Sequence, residues 1–291
     1  MVENSISNYK DFLNKVSKAT DIVTIAPIWG FYDVLNRVCP PPREGDPIPI
    51  GSHWCFFQPH VPMSEVGEDG HPKRGKFMPD PPNLPRRMFA GSSITFFKDI
   101  KIGDKVLREQ KIQSISEKKG KSGELLFVNL EEKYIVDGKT SILQINNIVY
   151  REAPNKTELT NKNILGKQLE NNILSTCLKK EIIPDPVMLF KYSAITFNGH
   201  RIHYDRKYSI DKEGYPGLVV HGPLTATFLM HFCENTLQKH IKKFEFRAIK
   251  PIFDIEKFML NLYEDKDNGT IDVYATNLKN EICMSAKAVM V

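Results

Sequence analysis

The chain has 291 residues, 41% hydrophobic and 26% charged, with 40 basic and 35 acidic side chains and a net charge of +5. That is the balance of a globular protein, long enough for one large domain or two ordinary units. It excludes a nucleic-acid binder, because no dense Lys/Arg stripe with interleaved aromatics is present, and a membrane span, because no apolar run approaches roughly 20 residues.

The start, MVENSISNYKDFLNK, is polar with mixed charge and lacks the apolar core of a secretory signal. A cytoplasmic protein is expected. Five scattered cysteines (Cys39, Cys55, Cys177, Cys233, Cys283) form no C-x-x-C pair. Neither a disulfide framework nor a zinc site is expected. Ile25, Ile28, Phe31 and Leu35 share one helical face. Pro40 to Pro42, Pro47 and Pro49 then interrupt regular structure. Trp54 and Phe56 alternate with Cys55 and Phe57, a strand pattern. Residues 59–87 form a long loop rich in Pro, Gly, His and charge, a length that points to function or disorder.

From Phe89 to about Glu152 the pattern is β. Leu126, Val128 and Leu130 alternate, as do Leu143, Ile145, Asn147 and Val149. Asp137-Gly138 is a hairpin signal between them. At least three antiparallel strands are expected. Lys118, Lys119 and Lys121, beside Gly120 and Gly123, suit a hairpin tip in water. Residues 153–181 read as a polar connector with some helical tendency. Val187 to Phe190 reads as a strand. A helix opens at Pro223, with Leu224, Phe228, His231 or Phe232, and Asn235 on one face. Phe258, Leu260 and Leu262, then Ile271, Val273 and Ala275, then Ile282 to Met290, alternate as three strands. Asp267-Asn268-Gly269 and Asn277 to Asn280 separate them.

The two halves rhyme. Phe89-Ala90-Gly91 precedes three strands, and Val220-His221-Gly222 precedes a helix and three strands. A sheet wrapped on a helix, present twice, is the α+β double hotdog, its first central helix short or degenerate. The expected division is an N-terminal unit at 1–152, a linker at 153–181 and a C-terminal unit at 182–291.

Chemistry concentrates in the second half. His200, His203 and His221 lie within 22 positions of one another, beside Asn198, Asp205 and Gly222. Histidine is suited to proton transfer near neutral pH. The Gly222 N–H would sit at the positive end of a helix, where developing negative charge is stabilised. A base beside such a donor is what adding water to an α,β-unsaturated thioester requires.

The segments Asn198-Gly199-His200-Arg201-Ile202-His203-Tyr204-Asp205 and Val219-Val220-His221-Gly222-Pro223-Leu224 resemble the signature of MaoC-like, R-specific enoyl-thioester hydratases. The resemblance implies that His203 is catalytic and that the Gly222 amide binds the thioester carbonyl. Asp205 matches an acidic position common after the histidine. The family's catalytic Asp is Asn198 here, which can orient water but cannot act as a base. HWCFFQP, DGHP and LPRRMFAG in the first half resemble a subgroup. That subgroup holds mesaconyl-CoA and itaconyl-CoA hydratases and 3-hydroxyacyl-thioester dehydratases. It implies an acyl-CoA or acyl-carrier-protein substrate, no cofactor and no metal, and pairing into a homodimer. Tyr192, His221 and Arg201 are candidates to line the site. Arg86, Arg87 or Arg201 could meet a phosphate or a substrate carboxylate.

Three other classes compete. His203-Tyr204-Asp205 is an H-x-D pair that an iron oxygenase could use with His200 or His221. Asp205 or Glu234 could serve a thioesterase. A non-catalytic acyl-thioester binder would share the fold.

Overall fold

In the computed structural model, ten strands form one antiparallel sheet in the order β1-β3-β4-β5-β2-β7-β10-β9-β8-β6. The structure describes residues 9, 11–73, 77–120, 123–152, 167–265 and 270–291. The strands are β1 (Val16–Ile22), β2 (Arg86–Phe96), β3 (Lys105–Gly120), β4 (Gly123–Val136), β5 (Lys139–Arg151), β6 (Leu178–Ile182), β7 (Ile241–Ala248), β8 (Phe258–Asp265), β9 (Thr270–Thr276) and β10 (Ile282–Met290). Helices α1 (Ile25–Val34), α2 (Asn171–Thr176), α3 (Pro186–Thr196), α4 (Arg206–Asp211) and α5 (Gly222–Leu237) complete it. No described helix is long and apolar enough to cross a membrane.

Read outward from the seam between β2 and β7, the sheet repeats itself. β5, β4, β3 and β1 follow β2, while β10, β9, β8 and β6 follow β7. The helices after β1 and β6, α1 and α3, pack against each other. The repeat therefore starts at β1 and β6. Leu178–Ile182, which crosses the expected end of the connector at 181, is a strand paired to β8.

The longest helix, α5, has no counterpart among the described residues of the first half. α5 rests on β7, β8, β9 and β10. It is apolar around most of its circumference, burying Leu224, Ala226, Phe228, Leu229, Met230, Phe232 and Cys233. Such a helix belongs in a core. In the first half the corresponding place holds a single 3-10 turn, Ser52–Cys55. Thr227 and Met230 of α5 lie against Gly51. His231 of α5 bonds the Ile50 carbonyl at 2.9 Å.

Two expected strands are corrected. The run around Trp54 is this 3-10 turn, because the chain reverses at Gly51 and Ser52 returns its N–H and hydroxyl to the Pro49 carbonyl. Val187 to Phe190 lies in α3, where the Asp185 carboxylate accepts the Val187 N–H at 2.7 Å and Pro186 occupies the first turn. An Asp cap before Pro is a helix start that outranks four apolar residues. The pairing of Phe89-Ala90-Gly91 with Val220-His221-Gly222 also fails. Gly91 lies within β2, opposite Arg247 of β7. The expected strands of 126–149 and 258–290 are present. Residues 121–122 of the hairpin tip, the Asp267-Asn268-Gly269 turn and the 153–166 part of the connector lie outside the described residues.

Gly91 makes the seam possible. A Cβ there would overlap the Phe246 carbonyl oxygen and sit 3.1 Å from the Arg247 Cα, and neither backbone atom can move aside cheaply. Gly91→Ala is expected to cost about 1–3 kcal/mol. Urea denaturation checks this, and an unchanged midpoint would show that the seam yields.

Candidate active site

α3 ends because Phe197 adopts a left-handed conformation, φ 51°. The chain that follows folds tightly on itself. Asn198 accepts the His200 N–H on its side-chain oxygen at 3.0 Å. The Tyr204 hydroxyl donates to the Gly199 carbonyl at 2.8 Å. A 3-10 turn, Arg201–His203, delivers His203 inward, where it is 7% exposed.

Two bonds tie this turn to the segment before α5. Val219 donates its N–H to the Ile202 carbonyl at 3.0 Å. The Val219 carbonyl lies 2.7 Å from His203 Nδ1. A carbonyl can only accept, so Nδ1 carries the hydrogen and Nε2 keeps its lone pair. Burial pushes the His203 pKa down to about 4, partly offset by this bond. The result is a neutral imidazole with a fixed tautomer, the form a general base needs.

His221 caps α5 immediately before Gly222, and its ring stacks on His203 with centroids 3.7 Å apart and planes 19° apart. Ser193 Oγ holds His221 Nε2 at 2.8 Å. The Tyr192 ring meets it edge-on at 4.9 Å. Burial, then His203 and His200, hold His221 well below the ordinary histidine range. Its Nδ1 is buried without a partner among the described residues. Gly222 opens α5, where the first amides have no partner within the helix. A Cβ at Gly222 would meet only Phe89 Cδ1, at 3.8 Å.

The candidate arginines separate. Arg86 is paired with Glu213 at 2.8 Å. Arg201 is paired with Asp205 at 2.6 Å and lies over the Tyr208 ring. Arg87 has no carboxylate partner among the described residues. It is half-buried on β2, two residues before Phe89, and its charge helps to lower the His200 pKa.

The long loop closes one side. Gly70 and Gly199 approach so closely that a Cβ on either would overlap the other's carbonyl oxygen. Arg201 donates its N–H to the Asp69 carbonyl at 2.9 Å. His71 reaches His200 with ring centroids 4.2 Å apart, and His200 stands edge-on to His203 at 5.4 Å. Burial pushes the His200 pKa down to about 2, helped by His71 and His203. Sequence reasoning missed Ser193, the Val219 carbonyl, Phe89 and the Asp69–His71 contact. The iron arrangement is not formed. The Asp205 carboxylate caps α4 through the Tyr208 N–H and holds Arg201.

The family model for hydroxyacyl-thioester dehydratase type 2 matches residues 51–254. The chain is 35% identical over 288 residues to the mesaconyl-C(4)-CoA hydratase of Chloroflexus aurantiacus, covering 97% of this chain and 98% of that one. A MaoC-like dehydratase from Phytophthora capsici superposes with TM-score 0.68 at 13% identity, over 99% of both chains. A Mycobacterium tuberculosis protein described as a double hotdog superposes with TM-score 0.53 at 10% identity, over 96% of both. The fold is therefore an α+β double hotdog. The chain belongs to the MaoC-like hydratase and dehydratase family and is a hydro-lyase acting on acyl thioesters.

His53, His203 and His231 are each pushed down to about 4 by burial. The unfolded chain binds protons first, near pH 6.5. These groups therefore contribute stability that is whole above pH 6.5 and is lost as pH falls toward 4. Full loss is about 3 kcal/mol for each. NMR titration should leave all three imidazoles neutral at pH 5.5, while the urea midpoint falls between pH 6.5 and 4. Titration of these rings near 6.5 would contradict the burial argument.

Proposed function

We propose that the chain reversibly hydrates a short, branched, dicarboxylic enoyl-CoA of the mesaconyl-CoA or itaconyl-CoA type, with His203 as the base. The observation that carries this reading is the stack of His203 on His221. It sets a neutral, tautomer-fixed imidazole beside the residue that starts α5. His203 Nε2 takes a proton from water as the water oxygen bonds the β-carbon. The electron pair of the double bond moves to the α-carbon and the thioester oxygen. The Gly222 N–H holds that oxygen, a contact worth about 3–4 kcal/mol in comparable sites. The imidazolium then returns its proton to the α-carbon. Asn198 orients the water through its amide N–H, since its oxygen already accepts from His200.

The mesaconyl-type substrate is supported by the relative of 35% identity. It is also supported by Arg87, the candidate arginine left without a carboxylate partner among the described residues, which can meet a free carboxylate. Arg86 and Arg201 then act on protein carboxylates, while Tyr192 and His221 line the site. The second reading, dehydration of a 3-hydroxyacyl group on a carrier protein, is favoured by the family model's description. The repeat about the seam supports the two-unit division, with β6 belonging to the second unit. Free cysteines support a reducing, cytoplasmic setting. A homodimer completes the reading, and gel filtration tests it.

A panel of enoyl- and hydroxyacyl-CoA substrates, read by conjugated-thioester absorbance, decides the substrate. Turnover confined to dicarboxylic members is expected, and activity on long fatty enoyl chains alone would refute it. His203→Ala should lower kcat by about 10²–10⁴-fold. Asn198→Asp should retain activity, and its complete loss would show that the amide does more than orient water.

A further inference from the structure

The DGHP segment of the long loop plays no part in the chemistry above, yet it brings three metal-ligating side chains together. We propose that Asp69, His71 and His200 form a binding site for a divalent transition-metal ion, Zn²⁺ being the natural probe, at the rim of the active site. One donor atom from each residue lies within 4.8 Å of the others, the only such convergence among the described residues. The closest pair is already at metal-binding separation. Asp69 Oδ2 and His71 Nδ1 are 3.1 Å apart. Two donors about 2.0–2.1 Å from a tetrahedral ion stand about 3.3 Å apart. An ion can take the place of the proton they share.

The chelate is built before any ion arrives. Asp69 Oδ1 accepts the His71 N–H at 3.0 Å, so carboxylate and imidazole are held on one turn. The Gly70–Gly199 contact and the bond from the Arg201 N–H to the Asp69 carbonyl fix that turn against the segment bearing His200. The donor set, two imidazoles and one carboxylate, suits a borderline-soft ion of the first transition row. Burial would raise the Asp69 pKa, but the hydrogen bonds and charge of His71, with His200, outweigh it and keep Asp69 below the ordinary carboxylate range. His200 is neutral through burial. Arg87 is a like charge near His200, which works against tight binding of a cation.

Occupancy has a consequence for the neighbouring ring. His200 stands 5.4 Å from His203, and an ion would fix both His200 and the loop on that side. Zn²⁺ should therefore slow turnover, a consequence that rests on the hydratase reading.

The test is calorimetric titration of Zn²⁺ into the full chain without substrate. One saturable equivalent with Kd on the order of 10 µM is expected. Asp69→Asn and His71→Gln should each weaken binding by roughly 30-fold or more, while His240→Ala leaves it unchanged. Should either variant misfold, substoichiometric Cu²⁺ on the unaltered protein provides the readout. It should broaden the His71 and His200 imidazole resonances before those of His60 and His240. No saturable binding, unchanged affinity in both variants, or first broadening elsewhere would overturn the site. Turnover of an enoyl thioester should fall with Zn²⁺ in the parent and not in His71→Gln. Binding without that fall overturns the link to His203. A protein that hydrates nothing on the panel leaves the binding result intact, so the two failures are separable.

Discussion

The imidazole of His203 hangs on a single carbonyl, that of Val219, 2.7 Å from Nδ1. Nearly everything else at the site follows from that carbonyl being where it is. It is held by main-chain pairing on both sides. Val219 donates to Ile202, and Val220 donates to Ile252. The same short extended run leads straight into His221 and Gly222. The His203 imidazole and the start of the helix are therefore positioned by one stretch of backbone only four residues long. An imidazole held by backbone has little orientational freedom left to lose.

The sheet explains why only one half carries this arrangement. Both halves supply an edge strand, a packed helix and four further strands in mirrored order. Among the described residues, only the second supplies a long buried helix whose first turn can face a ligand. In the first half, the inner face of the sheet is crossed by a polar row instead. His53 and Trp54 both reach Gln144, Gln144 reaches Asn146, and Asn146 and Gln110 both reach Glu132. Burial raises the Glu132 pKa. Each member is hydrogen-bonded to the next, which is the condition under which a buried polar row is tolerated. The 3-10 turn at Ser52–Cys55 anchors one end of that row and lies against α5. The missing helix is thus replaced by a specific packing unit.

The charges around the site are sorted by the same tight folding. Asp205 holds Arg201 and caps α4. Glu213 holds Arg86. The imidazoles at the centre are kept neutral by burial, while the carboxylate nearest to them, Asp69, arrives from a loop more than a hundred residues away in sequence. Asn198 in the histidine segment is an amide, and its side-chain oxygen is occupied locally by the His200 N–H.

Much of this was legible in the residues themselves. Alternation over 126–149 and 258–290 located five of the ten strands, because side chains of a half-buried strand must alternate. The His203 and Gly222 motifs pointed to the family, since proton transfer and charge stabilisation need those groups at short spacing. What failed were short aromatic or apolar runs. Trp54 and Val187 sit in runs that read as strands, and a turn at Gly51 and a cap at Asp185 decided otherwise. The pairing of β2 with β7, the stack of His203 on His221, the separation of Arg87 from Arg86, and the meeting of Asp69 and His71 with His200 were decided only in three dimensions. Each depends on contacts between segments far apart in the chain, and local pattern carries no information about which distant backbone will lie alongside.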